Sequence, residues 1–239
     1  MNNRRQSFLG RAEVTRPTRA APTTNPDAEP ALGTLPPEIA RELVPVPYEG
    51  KTPLAGRVFK VKSWARWNEE QRVAFMRAFV IEKARDPAIA VMATRILRAA
   101  KVPARDYEGQ WRALLGWVQR NVLYVNERDE RLASPQFSLA HRMGDCDDMA
   151  ILLAALGDSI RLPWRFVISG KDKAGRRHRW IEGVGHPDPM ISYVHIYLAV
   201  GWPPFGEPTW TFAEPTMRVP LGWDVVGARN ADDLPEMKS

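Results

Sequence analysis

Apolar residues recur at helical spacing over three consecutive stretches in the first half of the folded part of the chain. Each stretch follows a residue that caps helices. Asn68 with Gln71 fits a capping box. Asp86 is followed by Pro87, a residue suited to the first helical position. Asp106 precedes the third stretch. The pattern predicts three helices in succession.

A fourth and stronger helix signal begins at Cys146 and extends over residues 146–160. Aspartates flank the cysteine, where the dipole of a helix N-terminus favours negative charge. Residues 149–156 are all apolar, so this helix is expected to be buried on most sides. Residues 126–144, which precede it, are interpreted as a loop.

Segments typical of β-strands follow this helix. In the third of them, alternation places Tyr193, His195 and Tyr197 on one face of the sheet. Helices followed by strands, without alternation between the two, predict an α+β fold with an antiparallel sheet. The four segments are residues 164–169, about 179–184, 191–200 and 209–214.

Proline distribution predicts the domain organisation. Nine of the 21 prolines lie within residues 1–56, which contain two aromatic residues and no sustained helical or strand period. Such a composition buries too little apolar surface to offset chain entropy. We therefore predict an extended arm over residues 1–56, disordered or bound to a partner. A folded domain over residues 57–226 and a loose polar tail over residues 227–239 complete the prediction.

The composition of the chain excludes several classes of protein. The single cysteine, Cys146, excludes an intrachain disulfide and thus a disulfide-stapled scaffold. The longest apolar run has eight residues, against about 20 required to cross a bilayer, so we expect no membrane insertion. Arg4 and Arg5 are not followed by the apolar stretch of an export signal. The net charge of +6 is modest for this length.

Cys146 is a candidate nucleophile because of its position. A lone cysteine is usually a small buried hydrophobe. At a helix N-terminus, however, unpaired N–H groups stabilise a thiolate and can also receive an oxyanion. Gly144 would let a substrate backbone approach closely. The neighbouring aspartates act in the opposite direction, since negative charge raises the pKa of a thiol.

Two further residues could complete such a site. His195 lies inside a predicted strand and is either a half-buried structural residue or an imidazole that faces a site. Glu214 ends the next strand, before a proline, and is either a surface acid or an acceptor for the imidazole N–H.

The order of these segments resembles the transglutaminase-like superfamily of papain-type folds, over about residues 105–220. The resemblance is strongest to members encoded by tailed bacteriophages and prophages. It implies a core in which N-terminal helices, with the buried nucleophile helix, pack on a small antiparallel sheet. The similar segments are residues 134–135, the nucleophile motif 144–150, residues 162–167, the histidine strand 194–197 and the acid-bearing ending 210–216.

The resemblance implies a cysteine hydrolase or acyltransferase that acts on a peptide or isopeptide amide through a thioester. Cys146 would attack, His195 would transfer protons and Glu214 would orient the imidazole. The Cys146 backbone N–H would be one oxyanion donor, and Gln136 and Trp111 are the candidates for the second. Some members of the superfamily require calcium, but the calcium-binding loop pattern is absent, and the single cysteine and dispersed histidines lack the spacing of zinc ligands, so we expect no cofactor and no metal.

Two positions depart from the family pattern: Glu214 stands where an aspartate is usual, and Arg161 stands where a glycine is usual. Arg161 in a left-handed conformation at the helix end would affect stability and not chemistry. Glu214 and the long arm favour the alternative function, a catalytically inactive structural virion protein that keeps the fold. If the chain is active, we expect hydrolysis to exceed amine transfer, although three aromatic side chains could wall an acceptor tunnel. These are Tyr197, Trp202 and Trp210.

The expected partners are a protein or peptide substrate and, through the arm, other virion proteins. Nucleic acid is not expected, because a solvated turn accounts for the basic segment 171–179. We expect the protein in the host-cell cytoplasm or in the virion.

Overall fold

The computed structural model describes residues 37–46, 56–126 and 131–227. They belong to one of two compact units of the chain, Leu32–Ser239; the other, Met1–Ala31, lies outside the described residues. The helices are α1 (Pro37–Glu42), α2 (Glu69–Lys83), α3 (Pro87–Ala99), α4 (Tyr107–Asn121), α5 (Pro135–His141) and α6 (Cys146–Ser159). The strands are β1 (Leu43–Pro45), β2 (Val58–Val61), β3 (Leu123–Tyr124), β4 (Leu132–Ala133), β5 (Met143–Gly144), β6 (Trp164–Lys171), β7 (Arg177–Ile181), β8 (Ser192–Trp202) and β9 (Thr209–Ala213).

The predicted caps begin the predicted helices. The Asn68 side chain accepts from the Gln71 N–H at 2.9 Å, and the Gln71 side chain accepts from the Asn68 N–H at 3.0 Å. Asp86 and Asp106 accept backbone N–H groups in the first turns of α3 and α4. The α+β prediction is confirmed, because these helices are followed by an antiparallel sheet.

Helix α6 is the centre of the core. Residues 149–156 are each at most 1% exposed, as the apolar run predicted. Helices α2 to α5 and strand β8 all pack against it. The packing with α4 is close, because a Cβ at Gly157 would lie 2.1 Å from Cη2 of Trp111. Helix α6 therefore packs against the other helices and against strand β8 of the main sheet.

The main sheet has four antiparallel strands in the order β7-β6-β8-β9. Strand β9 pairs with β8 only between Leu198 and Trp202, so β9 does not cover the β8 edge at His195. Glu214 directly follows β9 and is directed to this uncovered part of β8. The sheet thus brings the strand-end acid to the histidine strand.

A bulge in β8 changes the predicted alternation. Ser169 of β6 pairs with His195, and the next β6 residue pairs with Tyr193, so Val194 is the additional residue. Paired residues share a face, which places Tyr193 on the face opposite to His195. The prediction that Tyr193, His195 and Tyr197 share a face is therefore wrong for Tyr193. Val194 is 75% exposed.

The predicted loop over residues 126–144 is also wrong for the part that the structure describes, because β4, α5 and β5 lie within it. The Ser134 hydroxyl accepts from the Phe137 N–H at 3.3 Å, and Pro135 occupies the first position of α5. Serine followed by proline is a helix start signal, which the short length of α5 obscured.

Residues 37–46 differ from the extended arm predicted over residues 1–56. They form α1 and β1, and β1 pairs antiparallel with β2. Leu43 is 4% exposed, and the Lys62 N–H donates to the Glu42 carbonyl at 2.9 Å. The pairing partner is distant in sequence, so no local period revealed it. The rest of the predicted arm, residues 1–36 and 47–55, and tail residues 228–239 lie outside the described residues.

Arg161, which stands where the family pattern has a glycine, follows the C-cap residue of α6. This residue has φ 65°, the left-handed conformation that favours glycine. Its N–H donates to the Asp158 carbonyl at 2.9 Å, and the Leu162 N–H donates to the Gly157 carbonyl at 3.0 Å. This is the hydrogen-bond pattern of a Schellman cap.

A search of the described helices for a segment able to cross a membrane finds none.

Candidate active site

A cleft of about 280 Å³ lies at the N-terminus of α6 and is lined by both Cys146 and His195. Its other walls come from the 3-10 turn Trp64–Arg66, α2, β3, β6 and β8. The buried helix and the uncovered edge of β8 meet here. The cleft is therefore the place where the predicted nucleophile and base come together.

Cys146 is the first residue of α6, and Asp145 is the N-cap. An Asp145 carboxylate oxygen accepts from the N–H groups of Asp147 and Asp148, at 3.1 and 3.2 Å. The cap therefore binds the N–H groups on the C-terminal side of Cys146 and not that of Cys146 itself. As the first residue of α6, Cys146 has an N–H without an acceptor within the helix, so this N–H stays a candidate oxyanion donor.

The environment of the Cys146 sulfur favours the neutral thiol. Burial raises the pKa of Cys146, and the charges of Asp147 and Asp145 raise it further. The thiol also donates to Asp147 Oδ1 at 3.4 Å. A hydrogen bond from the Ile196 backbone acts in the opposite direction, but the pKa remains well above its ordinary value. Attack by this sulfur therefore requires a base that removes the thiol proton.

His195 is held by a buried carboxylate. Its Nε2 lies 2.6 Å from Oε2 of Glu214, and Glu214 is 0% exposed. The second carboxylate oxygen accepts from the Thr216 N–H at 2.8 Å and from its hydroxyl at 2.6 Å. The Gln119 side chain fixes the backbone by donating to the Glu214 carbonyl at 2.9 Å. Because Nε2 is engaged, Nδ1 is the ring nitrogen that remains for the cleft.

The same carboxylate changes the proton affinity of the imidazole. Burial disfavours the imidazolium and lowers the pKa of His195, but the charge and hydrogen bond of Glu214 raise it, as does the charge of Asp147. The pKa lies above its ordinary value as a result. His195 therefore binds a proton more readily than a free imidazole, which suits a group that accepts one from a thiol.

Neither candidate for the second oxyanion donor lines the cleft. Trp111 is 0% exposed, and its indole N–H donates to the Gly201 carbonyl at 3.1 Å. Gln136 lies on α5 and donates to Asp86 Oδ2 at 2.9 Å. Trp111 does not reach the cleft because it packs inside the core. Gln136 does not reach it because helix α5 replaces the loop expected around this residue.

The structure gives a packing reason for the glycine at position 144. A Cβ at this position would lie 2.6 Å from the Cβ of Asp148. Asp148 is 2% exposed and accepts from the Ala133 N–H at 2.6 Å. Packing against this buried aspartate therefore requires the glycine, and the approach of a substrate backbone stays a prediction.

Tyr124 lines the cleft and was not identified from the sequence. It lies on β3, which pairs in parallel with β5 so that Tyr124 is opposite Gly144. Burial raises its pKa to about 12, with further contributions from Cys146, Asp145, Asp147 and Glu214 in that order. The aromatic residue between Leu123 and Val125 was visible in the sequence, but its partner strand was not.

A search of the described residues for three or more His, Cys, Asp or Glu side chains placed to hold a metal finds no such group. The aspartates at the start of α6 contribute to the cap and to the contacts with Cys146 and Ala133.

Residues 106–206 match the family model of the transglutaminase-like superfamily. Among solved structures, a "putative cysteine protease" from Cytophaga hutchinsonii is 16% identical, with a TM-score of 0.36 over 56% of this chain and 40% of that one. A "putative protease" from Parabacteroides distasonis is 9% identical, with a TM-score of 0.35 over 53% of this chain and 24% of that one. The chain thus spans less than half the length of either protein. Comparison with curated proteins gives no match. The resemblance to the transglutaminase-like superfamily is therefore confirmed over residues 106–206, a segment that contains Cys146 and His195 and ends before Glu214.

Proposed function

We propose that this protein is a cysteine hydrolase that cleaves a peptide or isopeptide amide bond, with Cys146, His195 and Glu214 as its catalytic machinery. The observation that carries the proposal is the 2.6 Å contact between His195 Nε2 and the buried Glu214 carboxylate, beside the cleft that Cys146 lines. The family match supports the reaction class.

The first half of the reaction forms a thioester. His195 Nδ1 takes the proton of the Cys146 thiol as the sulfur attacks the amide carbon. The carbonyl oxygen becomes an oxyanion, which the Cys146 backbone N–H can receive. When the carbon–nitrogen bond breaks, the imidazolium gives its proton to the leaving amine. Glu214 stabilises the imidazolium throughout and keeps Nδ1 directed at the cleft.

The second half releases the acid. A water molecule gives a proton to His195 as its oxygen attacks the thioester carbon. The carbon–sulfur bond then breaks, and the imidazolium returns the proton to the sulfur. The products are a carboxylic acid, an amine and the original thiol.

Hydrolysis is favoured over transfer to an amine. The predicted aromatic walls of an acceptor tunnel do not line the cleft: Tyr197 is 0% exposed and donates to Asp224 at 2.9 Å, while Trp202 packs on the main core. Trp210 lines a separate depression on the protein. A cleft without such walls admits water to the thioester.

The raised pKa of Cys146 favours a second candidate, in which the fold is kept and the activity lost. A thiol that stays protonated is a poor nucleophile without a competent base. The structural role in a virion, the phage or prophage origin and the location in the host cytoplasm or virion stay predictions.

The test is turnover of fluorogenic peptide and isopeptide amides between pH 6 and pH 9. The wild-type chain should release the amine, and Cys146→Ala and His195→Gln should abolish release. His178→Gln is the matched control, because His178 also contacts a carboxylate, Asp172 at 3.1 Å, but lies outside the cleft. Its turnover should equal that of the wild type.

Absence of turnover in the wild type across the panel would favour the inactive candidate. Turnover that survives Cys146→Ala would exclude cysteine chemistry altogether.

A further inference from the structure

The cleft has one evident oxyanion donor, the Cys146 backbone N–H. A tetrahedral oxyanion is usually stabilised by two or more donors, and loss of one costs about 10²–10³ in rate. Gln136 and Trp111 are excluded because their side-chain N–H groups donate elsewhere. A second donor must therefore come from another residue at the mouth of the cleft.

Tyr124 is fixed next to the nucleophile by backbone pairing. The Leu123 N–H donates to the Arg142 carbonyl at 2.7 Å, and the Val125 N–H donates to the Gly144 carbonyl at 3.0 Å. These bonds flank Tyr124 and align it with Gly144, two residues before Cys146. The side chain lines the same cleft as Cys146 and His195. The backbone of Tyr124 is thus held by strand pairing and not by a loop.

The Tyr124 hydroxyl has no hydrogen-bond partner in the part of the chain that the structure describes. Tyr193, the other tyrosine lining the cleft, differs because its hydroxyl oxygen is held against the Asp188 backbone, whose N–H it accepts at 3.1 Å, in the connection between β7 and β8. A half-buried phenol usually finds a partner. A partner supplied by the substrate would satisfy it.

The Tyr124 hydroxyl stays protonated, and so stays a donor, well above neutral pH. Burial and the nearby acidic groups raise the Tyr124 pKa to about 12. The same surroundings disfavour a phenolate but leave a neutral O–H free to donate. Those acids would also repel an unshielded oxyanion, so a neutral donor aimed at it is needed more here than in a neutral cleft.

We propose that the Tyr124 hydroxyl is the second donor of the oxyanion hole and acts together with the Cys146 backbone N–H. This inference rests on the proposed function. The hydroxyl donates a hydrogen bond to the carbonyl oxygen as negative charge develops on it, and no proton is transferred. The bond strengthens from the ground state to the tetrahedral intermediate, so it lowers the barrier instead of tightening substrate binding.

The test is Tyr124→Phe, examined by two reactions of the same thiol. Reversible addition of a peptide aldehyde to Cys146 forms a tetrahedral adduct whose oxygen occupies the oxyanion position. Alkylation by iodoacetamide displaces iodide and forms no oxyanion. Tyr124→Phe should weaken aldehyde binding by at least tenfold and lower kcat for amides by about 10²–10³-fold with little change in KM. The alkylation rate should change less than twofold.

Tyr193→Phe is the control, since its hydroxyl is held against the Asp188 backbone, and its removal should not separate the two reactions. The melting temperature of Tyr124→Phe should match that of the wild type, because no described group loses a partner. Tyr124→Gln, which restores a donor, should recover part of the aldehyde affinity.

Equal aldehyde affinity in Tyr124→Phe and the wild type would overturn the proposal, and so would an equal loss in both reactions. Absence of amide turnover in the wild type would defeat the proposed function alone, because the aldehyde and iodoacetamide reactions would still report on Tyr124.

Discussion

Two buried acids, Asp148 and Glu214, have similar surroundings and different consequences. They are 2% and 0% exposed, and each accepts a backbone N–H. Asp148 uses its bond to Ala133 to join α6 to β4. Glu214 directs its second oxygen at His195, which lines the cleft. Burial of a carboxylate therefore does not by itself indicate a catalytic role. The group that the carboxylate contacts determines whether it acts on stability or on the reaction.

Glu214→Gln should have the largest effect. The Gln amide can donate to His195 Nε2, which shifts the ring proton to Nδ1 and removes the base from the thiol. We expect kcat for amides to fall about 10²–10⁴-fold, measured by steady-state kinetics. Glu214→Asp restores the acid usual in the family and should retain more activity than Glu214→Gln. If Glu214→Gln keeps full activity, Glu214 is a structural acid like Asp148.

Asp148→Ala should act on stability. The buried Ala133 N–H would lose its acceptor, which costs about 1–3 kcal/mol and lowers the melting temperature by roughly 3–10 °C. Calorimetry measures this directly. Activity per folded molecule should fall far less than in Glu214→Gln. A variant with an unchanged melting temperature and abolished turnover would reverse the roles assigned to the two acids.

The pair of His195 with Glu214 should also make stability depend on pH. A pKa raised in the folded state means that folding stabilises the imidazolium. This contribution is complete below the ordinary His pKa of about 6.5 and is lost as the pH rises through the folded value. Urea unfolding of wild type and Glu214→Gln should therefore differ more at pH 5.5 than at pH 9. In a His195→Gln background this pH-dependent part should disappear.

The sequence allowed prediction of the features that depend on neighbours along the chain. Asn68, Asp86 and Asp106 predicted three helix starts because capping is a local interaction. Cys146 at the start of a buried helix followed from the same reasoning. The α+β class followed from the order of the segments.

The features that the sequence did not reveal depend on partners distant in the chain. Tyr124 reaches the cleft only because β3 pairs in parallel with β5. The bulge at Val194 places Tyr193 on the face of the sheet opposite to that of His195. A pattern of alternating residues in the sequence does not reveal such an additional residue. Trp111 was assigned to the site but packs against Gly157, a contact between two helices that the sequence does not specify.

Asp147 lies in the first turn of α6, as Asp148 does, and contacts a residue that lines the cleft, as Glu214 does. Its replacement should give the smallest effect of these variants. It accepts from the Cys146 thiol at 3.4 Å, and its charge raises the pKa of both Cys146 and His195. Asp147→Asn should lower both, so alkylation of Cys146 by iodoacetamide at neutral pH becomes faster. The acid limb of the kcat/KM profile should move to lower pH, because His195 then loses its proton more readily.

The effect of Asp147→Asn is small because burial is the largest cause of the shift at Cys146, and Glu214 outweighs Asp147 at His195. Glu207→Gln, which removes an exposed charge outside the cleft, controls for net charge and should change neither measurement. Slower alkylation in Asp147→Asn would show that this carboxylate assists the thiol as a proton acceptor. Asp147 would then belong with Glu214 among the acids that act on the reaction.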